Sequence, residues 1–290
     1  MRSSNPIFTR RGFRRGDGTA ASAAERSRPV GAVAGADLSG GVPTNPYAQS
    51  TIELSAPDVR AEGAAMTIDD VVVRTAATLG TVVLTAALSW LLLPVGDAGA
   101  GRALGIGAVA ALVAFALSMV QTFRRTPSPA LILGYAAFEG VFLGVTSDAT
   151  STYIAPGVVV QAVLGTMAVF AGVLIAYKRR WIRVTRRFYG FVLGAALGFL
   201  LLMVADLLFS AFGASGGLGF DSGATGVLFG VIGIVLGACF LALDFKQVED
   251  GIAYGAPRDE AWFAAFGLTV TLVWIYLEAL RLLSILRGND

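Results

Sequence analysis

The stretch that decides the fold reads Val-Leu-Phe-Gly-Val-Ile-Gly-Ile-Val-Leu-Gly-Ala-Cys-Phe-Leu-Ala-Leu-Asp-Phe-Lys-Gln-Val-Glu-Asp and covers Val227–Asp250. Its first 17 residues, up to Leu243, carry no charge. Extended back to Ala224, the stretch is long enough to cross a bilayer as a helix. Asp244 follows where the predicted helix leaves the hydrocarbon, and a carboxylate at that depth is unfavourable unless it is paired, hydrated or neutralised. We therefore expect Asp244 to be either a functional residue of a membrane-spanning helix or a helix-end acid wetted by the cytoplasm.

The composition of the whole chain is that of a membrane protein. Of its 290 residues, 55% are hydrophobic and 14% are charged, whereas about a quarter of the residues of a soluble domain are charged. The net charge of +2 gives no indication of a nucleic-acid partner. The sequence contains no His, the commonest general base and metal ligand, and no cofactor is expected.

The chain divides into a polar tail and an apolar domain. Residues 1–65 are rich in Gly, Ala, Ser, Pro and Arg without apolar periodicity, and they are predicted to form a disordered cytoplasmic tail. Residues 66–290 are predicted to form an all-α membrane domain, with Thr67 capping its first helix. Seven spans are expected in this domain, at residues 71–93, 104–120, 130–146, 158–177, 188–212, 224–243 and 261–285.

The basic residues of the loops predict the orientation in the membrane. Lys and Arg together number two after the second span, six after the fourth and two after the sixth, against one after the first and none after the third and fifth. The tail adds eight Arg. Because basic residues stay in the cytoplasm, we predict a multi-pass protein of the cell (inner) membrane with its N-terminus inside and its C-terminus outside. The basic run Lys178–Arg187 is interpreted as a topology determinant in contact with anionic lipid, and a partner-binding site is the alternative.

Repeated glycines predict close packing of two spans. Small residues spaced every three or four positions let helix backbones approach one another. The fifth span carries such a face at Gly190, Gly194 and Gly198. The sixth nearly does so, at Gly226, Gly230, Gly233 and Gly237. The sequence therefore favours a compact bundle.

Four acids lie within or at the ends of the spans, namely Glu139, Asp206, Asp244 and Glu278. An ionisable residue inside a membrane is a functional hypothesis by default, because exposing it to lipid is so unfavourable. Glu139 lies too deep in the third span to reach either surface, and we predict that it is buried in the bundle and points away from lipid. Glu278 is expected to form either a local ion pair with Arg281 or part of an ion route. Asp206 is expected either to face an aqueous vestibule or to join that route.

Three short motifs carry a resemblance to a known family. They are Glu139–Gly144 in the third span, Leu243–Gln247 closing the sixth, and Leu280–Leu286 closing the seventh. In this order and spacing they resemble the Bax inhibitor-1 family, the transmembrane Bax-inhibitor-motif proteins, in its bacterial branch, over roughly Thr67–Leu286. The resemblance implies a fold of two three-helix layers around a central seventh helix. It also implies a pH-sensitive calcium leak.

The same resemblance implies site residues. Asp244 matches the first of two aspartates placed between helices six and seven, and Arg124 or Arg125 matches an arginine latch after helix two. Counted back from Leu280 and Arg281, the second aspartate falls on Thr271, which cannot ionise. Two carboxylates in contact would share a proton and titrate as a coupled pair. Thr271 therefore leaves the pH sensor without its expected partner.

The functional interpretation is an ion leak in the lipid bilayer rather than an enzyme. Its closed state is expected to be held by Asp244 with Arg124 or Arg125, and loss of that pair would open a route lined by Glu139. Calcium would be the permeant ion and not a cofactor, since hard cations take oxygen ligands. One alternative is a non-conducting regulatory membrane protein that binds other membrane proteins. The other is an intramembrane enzyme with a carboxylate pair around a substrate-sized cavity.

Overall fold

The computed structural model describes residues 65–96, 99–212, 218–220 and 222–288. Apart from Ala65, the predicted tail lies outside these residues. In the described part of the chain, seven helices are long and apolar enough to cross a membrane, so the protein is a polytopic integral membrane protein. The helices are α1 (Ile68–Leu92), α2 (Ala100–Phe123), α3 (Pro129–Tyr153), α4 (Val158–Lys178), α5 (Arg186–Ala211), α6 (Gly223–Ala253) and, after a 3-10 turn at Arg258–Glu260, α7 (Ala261–Gly288).

The helices form two layers of three around α7. In one layer α3 packs against α1 and α2, and in the other α6 packs against α4 and α5. Helix α7 contacts α1, α3, α4 and α6, and it has the largest buried share of the seven helices. These contacts confirm the predicted fold of two three-helix layers around a central seventh helix.

Contacts along α7 give the relative directions of the helices. Near the start of α7, Tyr135 of α3 packs edge-to-face on Phe266 with 5.3 Å between ring centroids. Further along, Ser147 Oγ of α3 lies 2.6 Å from Tyr276 Oη. The contacts advance together along both helices, so α3 and α7 run parallel. With seven crossings, the start of α1 and the end of α7 lie at opposite faces of the bundle.

The N-terminus of α1 begins as predicted. Thr67 Oγ1 accepts the N–H of Asp70 at 3.2 Å, and the Asp70 carboxylate accepts the N–H of Thr67 at 3.2 Å, which is a capping box. Immediately before it, Ala65 forms an isolated antiparallel bridge with Pro257, and Met66 is buried. The chain is therefore already held against the α6–α7 loop where the helix starts.

Four segments meet at one end of the bundle, which we call the basic end: the N-terminus of α1 and the loops 124–128, 179–185 and 254–260. Arg258 Nε lies 2.7 Å from Asp70 Oδ1, and Arg74 Nη2 lies 3.8 Å from Asp259 Oδ1. The Arg74 guanidinium also lies 5.3 Å from the ring centroid of Trp262. These crossed contacts fasten α1 to the α6–α7 loop.

Helix α6 extends well beyond its predicted span. It continues past Leu243 to Ala253, into the residues that the sequence predicts to connect the sixth and seventh spans. Lys246 stabilises the extension by pairing with Asp250, one turn later, at 2.8 Å. The expectation that Asp244 closes the helix was therefore wrong, and this residue lies in the helix interior. Hydropathy marks where hydrocarbon ends, but a helix continues into water wherever its polar side chains are satisfied.

The glycines of α6 allow close contact with α7, as predicted. A Cβ added at Gly237 would lie 2.6 Å from Ile275 Cγ1, and one added at Gly233 would lie 2.7 Å from Glu278 Cδ. Real Cβ atoms essentially never approach other atoms that closely. Later residues of α6 contact earlier residues of α7, so the two helices are antiparallel. The glycines let side chains of α7 pack directly on the backbone of α6.

The glycine face predicted for α5 has no such role. An added Cβ at Gly190, Gly194 or Gly198 would meet no atom within 4 Å. The close approach in the other layer uses Gly140 and Gly144 instead, which lie against α1. The prediction failed because spacing identifies a smooth helix face but not whether another helix covers it.

Candidate functional site

A carboxylate of α6 meets a hydroxyl of α7 inside the bundle. Thr271 Oγ1 donates a hydrogen bond to Asp244 Oδ2 at 2.6 Å. Thr271 is buried and Asp244 is half-buried. Gly267, one turn earlier on α7, leaves room for the carboxylate, since an added Cβ would lie 3.3 Å from Asp244 Oδ1. The position counted for the second aspartate thus lies directly opposite Asp244, where a neutral donor replaces the second carboxylate.

A second hydroxyl of α7 lies at the same level and faces α1. Thr269 Oγ1 lies 2.8 Å from Thr78 Oγ1, and both side chains are fully buried. Thr269 also donates to the backbone carbonyl of Ala265 at 2.7 Å. Around Thr269 and Thr271, α7 therefore presents polar groups to both three-helix layers.

Glu139 approaches this level of α7 from α3. It lies four residues from both Tyr135 and Leu143, which are buried on the same face of the helix. Tyr135 contacts Phe266, and Leu143 packs with Val273, so their contacts bracket the two threonines of α7. The Glu139 side chain is half-buried on this inward face. Its carboxylate and that of Asp244 thus approach one level of α7 from opposite layers.

The local ion pair, one of the two alternatives for Glu278, is formed. Arg281 Nη2 donates to Glu278 Oε2 at 2.8 Å. Glu278 is buried, with 5% of its surface exposed, and the Arg281 guanidinium lies 5.2 Å from the ring centroid of Phe229 on α6. The pair is enclosed between α7 and α6 rather than solvated at a surface.

Asp206 holds a loop. Its carboxylate accepts a hydrogen bond from the backbone N–H of Leu218, which lies beyond the end of α5. An aspartate that accepts a backbone N–H satisfies a donor that a loop would otherwise leave unpaired. Among the four acids of the predicted spans, Asp206 thus contacts an interhelical loop, the one between α5 and α6.

Two further buried polar residues were missed by the sequence reasoning. Asp148 was overlooked because the third span was ended at Thr146, whereas α3 continues beyond it. It is buried and accepts the N–H of Val95 at 2.7 Å. Gln121 of α2 is fully buried, and its Oε1 accepts the N–H of Ser128 at 3.1 Å. Both residues fasten an interhelical loop, and a polar residue one or two positions beyond an apolar run is the signal that would have found them.

The predicted latch arginines are not brought to Asp244. Arg124 and Arg125 lie exposed in the α2–α3 loop. Over the described ranges, neither forms an ion pair with a carboxylate. In this structure Asp244 has the Thr271 hydroxyl as its partner, and the arginine latch stays a prediction.

Among the described residues, the polar groups that α7 presents around Thr269 and Thr271 do not form a metal-binding site. Among the residues with described positions, no three His, Cys, Asp or Glu side chains are grouped so as to hold a metal ion. A bound calcium ion takes about 6–8 oxygen ligands.

One comparison with known proteins identifies a family. The sequence matches the family described as Bax inhibitor 1 like over residues 5–288. The match begins inside the polar tail, so the expectation that the likeness excludes the tail and runs over roughly Thr67–Leu286 was too narrow. No curated protein matches the chain.

Proposed function

Because the chain belongs to the Bax inhibitor 1 family, we propose that it provides a regulated leak for cations, calcium in particular, across the cell membrane. The observation that carries this proposal is the hydrogen bond between Asp244 and Thr271 inside the bundle. An acid at such a position is unfavourable for stability and is generally retained for function. The route follows α7, where Glu139 lines it with oxygen ligands from one layer and Asp244 holds it closed from the other.

The gate is the contact between α6 and α7. A hydrogen bond to a charged group contributes about 1.5–3 kcal/mol, so the Thr271–Asp244 bond favours the closed packing by roughly 10-fold to 100-fold. Weakening it lets the two helices separate at this level. The latch by Arg124 or Arg125 belongs to a state in which the α2–α3 loop approaches Asp244, since both side chains are exposed here.

The first prediction concerns calcium flux into liposomes that contain only the purified full-length protein. Asp244→Asn removes the charge from the hydrogen bond and Thr271→Val removes its donor, so we expect each to raise flux about tenfold or more. Glu139→Gln removes an oxygen charge from the route, and we expect it to lower flux in both the parent and the Asp244→Asn background. The readout is a calcium-sensitive dye inside the liposomes.

Matched controls separate gating from general damage. Thr271→Ser keeps the donor, and Asp206→Asn changes an acid that contacts the α5–α6 loop, so both are expected to conduct like the parent. Flux no greater than in protein-free liposomes for the parent and all variants would reject the leak. Equal increases for Thr271→Ser and Thr271→Val would reject the hydrogen bond as the gate.

A non-conducting regulatory role is the second candidate, and one feature favours it. A groove of about 720 Å³ lies between α1 and α4 and is floored by α3 and α7. Its walls include Val83, Leu91, Val163 and Met167, which are exposed. A concave apolar surface of this kind can be filled by the helix of another membrane protein packed side by side within the bilayer. If the purified protein conducts nothing, this groove becomes the first surface to test.

The groove gives no support to an enzyme. Its polar lining consists of the hydroxyls of Ser147, Thr166 and Tyr276 and the indole of Trp90, and its lining includes no carboxylate. A hydrolytic carboxylate pair would have to face the cavity that holds the substrate. We therefore propose a non-enzymatic protein without a cofactor.

The second prediction concerns orientation. The basic end carries the α1 N-terminus and the basic loops, so we propose that it faces the cytoplasm. A reporter fused before Met1 should report a cytoplasmic location and one fused after Asp290 an external location. Finding both ends on one side would mean that one of the seven helices does not cross the membrane.

A further inference from the structure

A pocket lined by basic residues lies at the basic end, away from the route along α7. It has a volume of about 470 Å³ and is formed by the α4–α5 loop and the end of α6. Four cationic side chains line it, Lys178, Arg180, Arg183 and Lys246, together with one acid, Glu249. We call this cavity the basic pocket.

The loop that supplies two of these four cations, Arg180 and Arg183, is fixed at its first turn. Two residues after the end of helix α4, Arg180 lies in the left-handed region of backbone conformation, at φ 58°. The N–H of Trp181 donates to Ala176 O and the N–H of Arg180 donates to Tyr177 O, both at 2.9 Å, which is a Schellman motif. A residue other than Gly is strained at this φ, and such strain persists where the surroundings hold it. Arg180 therefore takes a defined position at the pocket.

The rest of the loop is anchored by alternate side chains. Ile182 and Val184 are half-buried and pack against the core cluster that includes Val173 and Leu241. Arg183, between them, is exposed. The alternation directs the apolar residues into the bundle and Arg183 away from it. Arg180 and Arg183 are thus positioned by the fold of the loop before any ligand arrives.

The charge of the pocket is unbalanced. The Glu249 carboxylate accepts a hydrogen bond from the Tyr177 hydroxyl and lies 3.9 Å from Lys246 Nζ. Across the described ranges, no carboxylate lies within 4.0 Å of the charged groups of Lys178, Arg180 or Arg183. Three cations around one cavity form a site for an anion, and Arg in particular binds phosphate oxygens through paired donors.

The surroundings of the pocket indicate where this anion comes from. Trp181 lies in the same loop with 76% of its surface exposed. Exposed Trp at the ends of membrane spans lies at the headgroup level of the bilayer, and this loop joins two spans. From this arrangement we propose that the basic pocket binds the phosphate group of an anionic membrane lipid. The residues of this site are distinct from Glu139, Asp244 and Thr271 of the route along α7.

Direct binding of phosphatidic acid tests the proposal. The probe is radiolabelled phosphatidic acid titrated into neutral detergent micelles that contain the purified full-length protein, with phosphatidylcholine as the uncharged reference. We expect saturable binding of one phosphatidic acid per chain and none of phosphatidylcholine. The double variant Arg180→Gln/Arg183→Gln should bind at least tenfold more weakly, since it removes the charged donors of two guanidinium groups for the phosphate oxygens.

Two control variants distinguish a pocket from diffuse charge. Arg186→Gln/Arg187→Gln removes the same charge from exposed residues of the adjacent helix start, outside the pocket lining, and should change binding less than about threefold. Glu249→Gln removes the acid of the pocket and should tighten binding about fivefold. Each variant is used only if its unfolding midpoint without lipid matches that of the parent.

Three results would overturn the proposal. Equal weakening by the two double variants would mean diffuse attraction of the lipid to a basic surface. Displacement of phosphatidic acid by inorganic phosphate at equal affinity would mean a site for a free anion and not for a lipid. Equal binding of phosphatidylcholine would mean that the charge of the ligand is not recognised.

Discussion

Replacing Gly140 or Gly144 with Ala is expected to destabilise the protein more than a methyl group added at any other glycine of the described helices. A Cβ added at Gly140 would overlap Thr85 Oγ1 and the backbone carbonyl of Val82. The α1 backbone carbonyl cannot turn away as a side chain does, so the two helices would have to move apart. Overpacking of a core typically costs about 1–3 kcal/mol, and a clash with backbone lies at or above the upper end.

We therefore expect Gly140→Ala and Gly144→Ala each to lower the free energy of unfolding by about 3 kcal/mol or more. The measurement is the unfolding equilibrium of the purified protein in mixed micelles as denaturing detergent is increased. Adding Thr85→Ala to Gly140→Ala should restore only part of the loss, because it removes the hydroxyl but leaves the Val82 carbonyl in place.

The α5 glycines supply the matched control. Gly190→Ala and Gly194→Ala place a methyl where no atom lies within 4 Å. Because Ala loses less conformational freedom than Gly in a helix, each should be neutral or should stabilise by about 0.5–1 kcal/mol. Equal stability of Gly140→Ala and Gly194→Ala would show that α1 and α3 are not packed as described.

The glycines of α5 and α6 illustrate what the sequence could predict about the fold. Hydropathy predicted seven spans because the bilayer thickness imposes their length. The small residues of α5 and α6 look alike in sequence, but only those of α6 are covered by a neighbouring helix. Which face is covered depends on the placement of all seven helices together, and spacing along one helix does not contain that information.

Part of the candidate site could likewise be predicted from the sequence, and part could not. The opposition of Thr271 and Asp244 followed from the family resemblance, which places a residue counted back from Arg281 between helices six and seven, opposite Asp244. The partner of Asp244 did not follow, because it depends on how far the α2–α3 loop reaches. Asp148 was missed because its helix continues past the end of its apolar run.

The second large effect is expected for Arg281→Met. Glu278 is buried and accepts a hydrogen bond from Arg281 at 2.8 Å. Removing one partner of a buried ion pair costs about 3–5 kcal/mol, because the other charge remains in a medium of low polarity. The substitution also removes the cation from above the Phe229 ring, which adds to the loss. We expect a fall of about 3–5 kcal/mol in the free energy of unfolding.

The double variant Glu278→Gln/Arg281→Met should be more stable than Arg281→Met alone. The neutral side chain of Gln has the size of Glu but requires no counter-ion, so it removes most of the electrostatic cost. A double-mutant cycle with Glu278→Gln then gives the coupling between the two residues, which we expect to be about 1–3 kcal/mol. An additive cycle would assign the effect of Arg281→Met to lost packing with Phe229.

Lys246→Met supplies the comparison for an ion pair at the membrane surface. Lys246 pairs with Asp250 at 2.8 Å, but the two side chains are 35% and 44% exposed. Pairs screened by water contribute about 0–1 kcal/mol, so this variant should be nearly as stable as the parent. If Arg281→Met costs no more than Lys246→Met, the Glu278–Arg281 pair is hydrated in the membrane. Water would then reach the α6–α7 interface near Gly233, and the route along α7 would begin there rather than at Asp244.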